Sequence, residues 1–411
     1  MPRTTRDLRR SNRTAVLREL LFRGPSSRQA LAGETGLSAG TVGLVVTELL
    51  DEGLVEEVGS EQSAGGRPRT IIQVAAERAV SVGVDLGERG LRVEAFDLAW
   101  QRRAEVFVDL DASDAQPTTV VERITGAVGQ VVAGSGLARA HVLGVGVSVP
   151  GVVERTAASR IYAPSFGWDG LPLGEMLKEH LDAPVRVDNG AKAMGQAELW
   201  FGAGRGAADA IVALLGIGVG AAVFTEGRLY RGSRSSAGEW GHTPVVVDGD
   251  PCRCGSRGCL EAYIGESAIL RRWDTLRGLG GDDAAPAGER IDALFARSDT
   301  QPEAAAATEH FARYLGAGLA TLINLFNPET IVLAGSVGLR IPPAVLEMVR
   351  AAAGRYALRQ PFESVRIVPG RLGHDAVALG AATLVVDHHL GRGFRVLTRP
   401  VAASAAGVGA A

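Results

Sequence analysis

Through the first fifty positions, apolar residues recur at helical spacing, and the residues between them punctuate three short helices. Leu17, Leu20 and Leu21 mark the apolar face of the first. The stretch GPSSRQALAGETG breaks it with proline, and Ser26 and Gln29 have the spacing of a capping box for the second. Gly36 predicts a tight turn and Ser38 caps a third helix, whose buried stripe is Val42, Val45, Val46 and Leu49. Leu54 to Val58 and Thr70 to Val74 then alternate as two strands around the flexible loop GSEQSAGGRPR. Together these spacings predict a winged helix-turn-helix, mainly α, over residues 1–78.

Beyond residue 78 the pattern changes to strands alternating with helices. AVSVGVDLGERGLRVEAFDL reads as a hairpin, HVLGVGVSVPGVV as a buried strand with a turn, and IVALLGIGVGAAVF as a second glycine-rich hairpin. Leu315 to Phe326 reads as a strong helix, TIVLAGSVG as a strand ending in a small-residue loop, and HDAVALGAATLVV as a closing helix. Two similar halves of this kind predict an α/β, two-lobed body with the actin-like, ribonuclease H-like sugar kinase fold. The expected lobes are residues 79–196, completed by about 372–390, and residues 197–371, followed by a mobile tail over 391–411. Leu276 to Ala307, rich in alanine, glycine and proline, is expected to be poorly ordered as well.

Charge changes the picture only at the N-terminus. The chain has a formal net charge of −3, which argues against a protein coated in nucleic acid. Its opening, MPRTTRDLRRSNR, nevertheless sets arginines at 3, 6, 9, 10 and 13 against the single acid Asp7 and reads as a basic arm. The third helix offers no Arg, Asn or Gln for a bidentate base contact, so its readout is expected to be modest. The candidate DNA contacts are Arg28, Ser38, Thr41 and Thr47 in the head and Arg67 and Arg69 in the wing. The longest apolar run, Ile211 to Phe224, falls short of a membrane span, and with no secretory signal the expected location is the cytoplasm, with no membrane partner.

All three cysteines, Cys252, Cys254 and Cys259, fall within eight residues. In a reducing compartment an odd, clustered set points to a metal site rather than a disulfide framework, with a cluster of free buried thiols as the alternative.

The segments GVSVPGVV, APSFGWDGLPL, AGEWGH, CRCGSRGCLEAY, NLFNPETIVLAG and LGHDAVALGAA occur in that order and resemble the ROK family of repressors, open reading frames and kinases. The head in front makes the chain similar to that family's transcriptional regulators of the xylose repressor and N-acetylglucosamine repressor type. The resemblance implies a structural zinc ion held by His242, Cys252, Cys254 and Cys259, a closed set with no open position for water activation. It also implies a sugar site of Asn189, Glu239, His242 and Glu261. Carboxylates and an amide suit a polyol, whose hydroxyls need several hydrogen-bond partners.

Departures from the family's kinases are informative. Where they place the general base after the asparagine, this chain has Gly190, and the next polar position is Lys192. The first phosphate loop reads DLGERG, with Glu88 and Arg89 in place of a bare turn and a threonine; Ile217 replaces a threonine in the second loop, and Ser165 an asparagine that touches sugar. The expectation is a sequence-specific regulator, a repressor of carbohydrate metabolism, acting as a homodimer or homotetramer on double-stranded operator DNA. Its body is expected to sense a monosaccharide or derivative without kinase activity. The alternatives are an ATP-dependent sugar kinase with a DNA-binding appendage, and a regulator controlled by a non-sugar ligand.

Overall fold

The computed structural model describes residues 4–63, 66–137, 141–154, 159–279 and 285–394, with the side chains of 62, 63, 66, 67, 112, 113 and 141 outside that description. The chain forms two compact units, one of residues 1–149, 172–188 and 381–411, the other of residues 150–171 and 189–380. The N-terminal head thus groups with the first lobe, and the chain passes between units at 149/150, 171/172, 188/189 and 380/381.

The head opens with α1 (Thr5–Arg23), not with an extended arm. Thr4 and Asp7 cap it reciprocally, so the one acid among the arginines is the partner of a capping box. Arg13 is buried rather than available to phosphate. Its guanidinium reaches Glu52 at 2.9 Å and the Gly393 carbonyl at 2.8 Å, tying α1 to the chain's last described turn. A two-residue strand β1 (Ser26–Ser27) follows, then α2 (Arg28–Thr35), capped by Ser27 where Ser26 was expected. Ser26 instead pairs with Ile72 in the wing. Gly36 takes the left-handed conformation, φ 67°, that the turn requires, and Ser38 caps α3 (Ala39–Asp51) as expected.

The wing is longer than the alternation indicates. β2 (Val55–Ser63) and β3 (Gly66–Val74) run well into the stretch expected to be a loop, because polar residues on both faces are acceptable in an exposed ribbon. Val16, Leu17, Leu20, Leu31, Val42, Val46, Leu49 and Ile72 close the core of the head, joined by Leu390 and Phe394 from the far end of the chain. The Trp100 indole donates to the Leu21 carbonyl at 2.9 Å, a second tie between head and first lobe.

Both lobes are built on the same sheet plan. In the first unit, β4 (Ala79–Leu86), β5 (Gly90–Asp97) and β6 (Arg102–Asp109) form an antiparallel meander. After α4 (Pro117–Gly134), β7 (His141–Val149) joins β4 in parallel. The chain then enters the second unit for a small sheet of β8 (Val152–Val153), β9 (Ile161–Ala163) and β10 (Trp168–Leu171). It returns for α5 (Leu173–Lys178) and β11 (Val185–Asn189), completing the order β11-β7-β4-β5-β6. Strand β4 is almost wholly buried, which is why its sequence is a near-continuous apolar run, whereas edge strand β6 alternates exposed and half-buried positions.

The second unit continues with α6 (Gly190–Phe201), β12 (Ala210–Leu215), β13 (Val219–Thr225) and β14 (Arg228–Tyr230). Then come α7 (Glu261–Ile264), α8 (Glu266–Leu276), α9 (Ala287–Ala296), α10 (Pro302–Phe326), β15 (Thr330–Ala334), α11 (Gly335–Gly338), α12 (Pro343–Tyr356), α13 (Arg359–Ser364) and β16 (Arg366–Pro369). The sheet order, β14-β13-β12-β15-β16, repeats that of the first unit strand for strand. Helix α9 and the start of α10 occupy the segment expected to be poorly ordered, because Ile291, Leu294, Phe295, Ala304 and Ala307 give it an apolar face that packs into the core. Residues 280–284 lie outside the described residues.

The closing helix α14 (Ala376–Gly391) crosses from the second unit into the first. Its close approach explains Gly146 of β7, where a side chain would overlap the Ala381 carbonyl. Ser81 donates to the Ala382 carbonyl at 2.8 Å. The tail expected to be mobile falls outside the described residues from 395 onward.

Candidate functional site

A single turn of 3-10 helix, Trp240–His242, and the loop that follows it bring His242 and the three cysteines together. The turn is anchored from below by the Trp240 indole, which donates to the Gly318 carbonyl at 3.1 Å. The loop is folded back on itself by two isolated bridges, Pro244 with Cys259 and Pro251 with Arg257. It also depends on Gly258, at φ 73°, where any side chain would overlap the Val246 carbonyl.

The four ligand atoms lie within 4.8 Å of one another. His242 Nδ1 is 3.7 Å from Cys252 Sγ, and Cys254 Sγ is 3.8 Å from Cys259 Sγ. A tetrahedral zinc with Zn–S bonds of about 2.3 Å separates its sulfurs by about 3.8 Å and a sulfur from an imidazole nitrogen by about 3.6 Å. The donor set therefore fits such an ion with little adjustment. Burial pushes the Cys252 thiol up to about 12, so without a cation that sulfur would keep its proton.

Beside this cluster lies a second group of polar residues, which differ in how far their side chains are already engaged. Glu261, at the start of α7, is buried with both oxygens engaged: Oε2 accepts from the Val219 amide at 2.8 Å, and Oε1 from Arg253 Nε at 3.0 Å. Asn189 is likewise occupied as the N-cap of α6. Its Oδ1 accepts from the Ala191 and Lys192 amides at 2.9 and 3.3 Å, and its Nδ2 donates to the Gly151 carbonyl at 2.7 Å. As they stand, these two expected sugar ligands hold backbone together.

Glu239 differs. It precedes the Trp240–His242 turn, is half-buried, and its carboxylate accepts no hydrogen bond among the described residues. Burial raises its pKa above the ordinary value; Lys192 and then His242 oppose the rise, and Glu261 adds to it. With Nδ1 of His242 turned to the cysteines, the opposite ring nitrogen, Nε2, is the second group directed elsewhere.

Lys192 is fully buried, and its ammonium donates to the Ser235 carbonyl. Ser235 itself is buried in a left-handed conformation, φ 67°. Lys192 thus pins the loop that delivers Glu239. Gly190 opens α6 and offers no proton acceptor. Neither Arg253 nor Ser235 was singled out from the sequence. A basic residue between two cysteines was the available signal for the first, whereas nothing in the local sequence distinguishes the second.

Ser165 is exposed in a short 3-10 turn, and Ile217 is half-buried in the turn between β12 and β13. The first phosphate loop belongs to the other unit. There Gly87 donates to the Gly90 carbonyl at 2.9 Å, making a tight turn with Glu88 and Arg89 at its tip. Asp85, at its base, has its pKa raised to about 6 by burial, against the pull of Arg92.

In the head, the candidate DNA contacts sort by what already holds them. Arg28 pairs with Glu57 at 3.1 Å on the surface, an interaction weak enough for phosphate to replace. Ser38 Oγ accepts from the Thr41 amide at 3.1 Å and lies 2.8 Å from Thr41 Oγ1, while the Thr47 hydroxyl donates to the Gly43 carbonyl at 3.0 Å. Arg69 is exposed on β3, and the side chain of Arg67 lies outside the described residues. No helix among the described residues is long and apolar enough to cross a membrane.

Comparison with known proteins agrees with this anatomy. The xylose repressor of Bacillus spizizenii is 29% identical over 383 residues, spanning 93% of this chain and 97% of that protein. The DNA-binding transcriptional dual regulator NagC of Escherichia coli is 28% identical over 91% of this chain and 92% of its own. Among solved structures, a ROK family transcriptional regulator homologous to the E. coli MLC protein superposes with a TM-score of 0.77 at 24% identity, covering 94% of this chain and 98% of that one. A ROK family glucokinase from Streptomyces griseus, in complex with glucose and AMPPNP, matches 75% of this chain and all of its own, with a TM-score of 0.65 at 27% identity. The ROK family's own sequence profile matches residues 81–388, and the chain belongs to that family.

Proposed function

We propose that the protein is a sequence-specific, DNA-binding transcriptional regulator of carbohydrate metabolism, a repressor acting in the cytoplasm, whose kinase-like body senses a monosaccharide and does not phosphorylate it. The observation that carries this reading is the pairing of a capped, exposed α3 in a winged head with a ROK body in which Gly190 follows Asn189. Relatives of full length carry repressor and DNA-binding regulator names. A missing general base alone lowers a rate by roughly 10²–10⁴. Phosphoryl transfer further needs its spreading negative charge stabilised, and Glu88 places a carboxylate in the first phosphate loop.

The effector site centres on Glu239 and His242. A half-buried carboxylate with vacant lone pairs suits a ligand rich in hydroxyl donors. His242, Cys252, Cys254 and Cys259 hold a structural Zn²⁺, and through His242 the ion fixes the edge of that site. Asn189 and Glu261 serve from behind, through α6 and the β12–β13 turn. Two heads on a symmetric oligomer, a homodimer or homotetramer, would read a pseudo-palindromic operator.

Selection from randomised duplexes, followed by binding measurements with and without monosaccharides and sugar phosphates, tests the proposal. The expected result is a recurrent duplex sequence whose affinity falls steeply with salt and changes with one sugar class. Sugar-dependent ATP consumption at ordinary kinase rates, abolished by Glu239→Ala, would replace the regulator with the kinase.

A further inference from the structure

We infer that Leu44 reads a thymine methyl group in the major groove, an inference that rests on the DNA-binding reading of the head. Leu44 is 70% exposed at the middle of α3, on the side opposite the buried stripe of Val42, Val45, Val46 and Leu49. Single exposed leucines are commonplace, so exposure alone decides nothing. Its neighbours do.

Gly40 lies one turn before Leu44, and Gly43 immediately precedes it. Both have ordinary helical backbone, and a side chain at Gly43 would meet no atom within 4 Å, while one at Gly40 would meet only the Ser38 hydroxyl at 4.0 Å. Packing therefore does not demand glycine at either position, and glycine is a poor helix former. Two glycines in one short helix are accounted for if something must come close to that face. With them bare, and with the Thr47 hydroxyl turned back to the Gly43 carbonyl, Leu44 is the bulky group on the N-terminal part of that face, and Glu48 follows one turn later.

Charge fixes how much of the helix can meet DNA. The C-terminal part carries the exposed acids Glu48, 3.9 Å from Arg9, and Asp51, which make it the poorer neighbour for phosphate, whereas Ala39 to Thr47 contains no acid. The N-terminal half of a recognition helix is also the part that reaches base edges. On a base edge in the major groove, an aliphatic side chain finds its apolar partner in the thymine 5-methyl. The absence of Arg, Asn and Gln from this helix then follows: α3 discriminates by fit and methyl contact, leaving charged contacts to other parts of the head.

The test uses the full-length protein and its selected duplex. Each thymine is replaced in turn by deoxyuridine, which lacks only the methyl, at fixed salt. At one position per half-site the wild type is expected to lose roughly fourfold in affinity, the equivalent of one buried methyl. Leu44→Ala is expected to bind the thymine duplex several-fold more weakly and to show no thymine-over-uracil preference at that position, with its melting temperature unchanged. Gly40→Ala is expected to melt higher yet bind more weakly.

An equal thymine-over-uracil ratio in wild type and Leu44→Ala overturns the inference, as does a wild type indifferent to every deoxyuridine. A change of oligomeric state in Leu44→Ala with the methyl preference intact would make Leu44 a protein contact instead. A wild type that selects no duplex at all removes the regulator reading, and this inference with it.

Discussion

The candidate metal cluster and the polar group beside it both belong to the second unit, yet their side chains differ in how far the fold already engages them. The four candidate metal ligands converge within 4.8 Å, close enough for a tetrahedral ion to gather them. Of the four residues implied for sugar, Asn189 and Glu261 are taken up by backbone amides and Arg253, leaving Glu239 and His242. A thiolate set has few uses other than a metal. A carboxylate or amide serves equally well as a ligand group or as a fastener for a helix end, and which one it is depends on whether its lone pairs are already filled. The distinction predicts a ladder of effects.

The largest belongs to the metal. Cys259 is buried, so Cys259→Ser leaves an incomplete, poorly matched shell inside the core cluster. The expected loss is at least about 3 kcal/mol in denaturant unfolding, together with stoichiometric zinc by metal analysis. Strong chelation of the wild type should reproduce the loss. A variant that stays metal-bound and stable would mean the three remaining ligands suffice and the shell is not closed.

Next comes Glu261→Ala, which leaves the buried Val219 amide without its acceptor and removes the ion pair to Arg253. A cost of about 2–3 kcal/mol is expected, with or without sugar. Asn189→Ala removes an N-cap and should cost about 1 kcal/mol, again independent of ligand. If either variant keeps its stability and loses the effector response instead, that residue is a sugar contact after all, and its hydrogen bonds to the backbone exchange for the ligand's.

How much was legible follows the same line. The third helix, its Ser38 cap, the Gly36 turn, the three hairpins and the repeated halves were all readable, because each rests on a local period or a residue with one conformational use. The clustering of the three cysteines was equally plain, and the fold sets His242 beside them. What escaped depended on partners far away in sequence. Arg13 looked like part of a basic arm until the turn at Gly393, 380 residues on, proved to hold it. Residues 287–307 looked loose by composition, but Ile291, Leu294, Phe295, Ala304 and Ala307 line helices packed in the core. Glu261 carried a ligand's signature, and only the fold shows Val219 and Arg253 already on its oxygens. Nor does any local pattern mark Ser235 for a left-handed backbone.

The smallest effect on stability, and the sharpest on function, is expected of Glu239→Gln. Burial raises the Glu239 pKa, so on unfolding the carboxyl reverts to its ordinary, lower value. Over the window between those two values the folded protein holds the proton and the unfolded chain does not. Stability therefore declines as pH rises through that window, and the deficit persists at every higher pH. Glutamine carries no charge to bury. The variant should match the wild type at acid pH and be slightly more stable at neutral pH, the opposite sign to Glu261→Ala. Yet it replaces an acceptor of two hydroxyl donors with an amide that accepts through one atom only. The sugar-induced rise in melting temperature and the sugar-induced change in operator affinity should both shrink sharply. Lys192 gives the experiment an internal control, since Lys192→Met should loosen the Ser235 loop and weaken the sugar response through position rather than contact. A Glu239→Gln protein that is destabilised at neutral pH, or that answers sugar as the wild type does, would place Glu239 with Glu261 among the fasteners and leave the effector site to be found elsewhere.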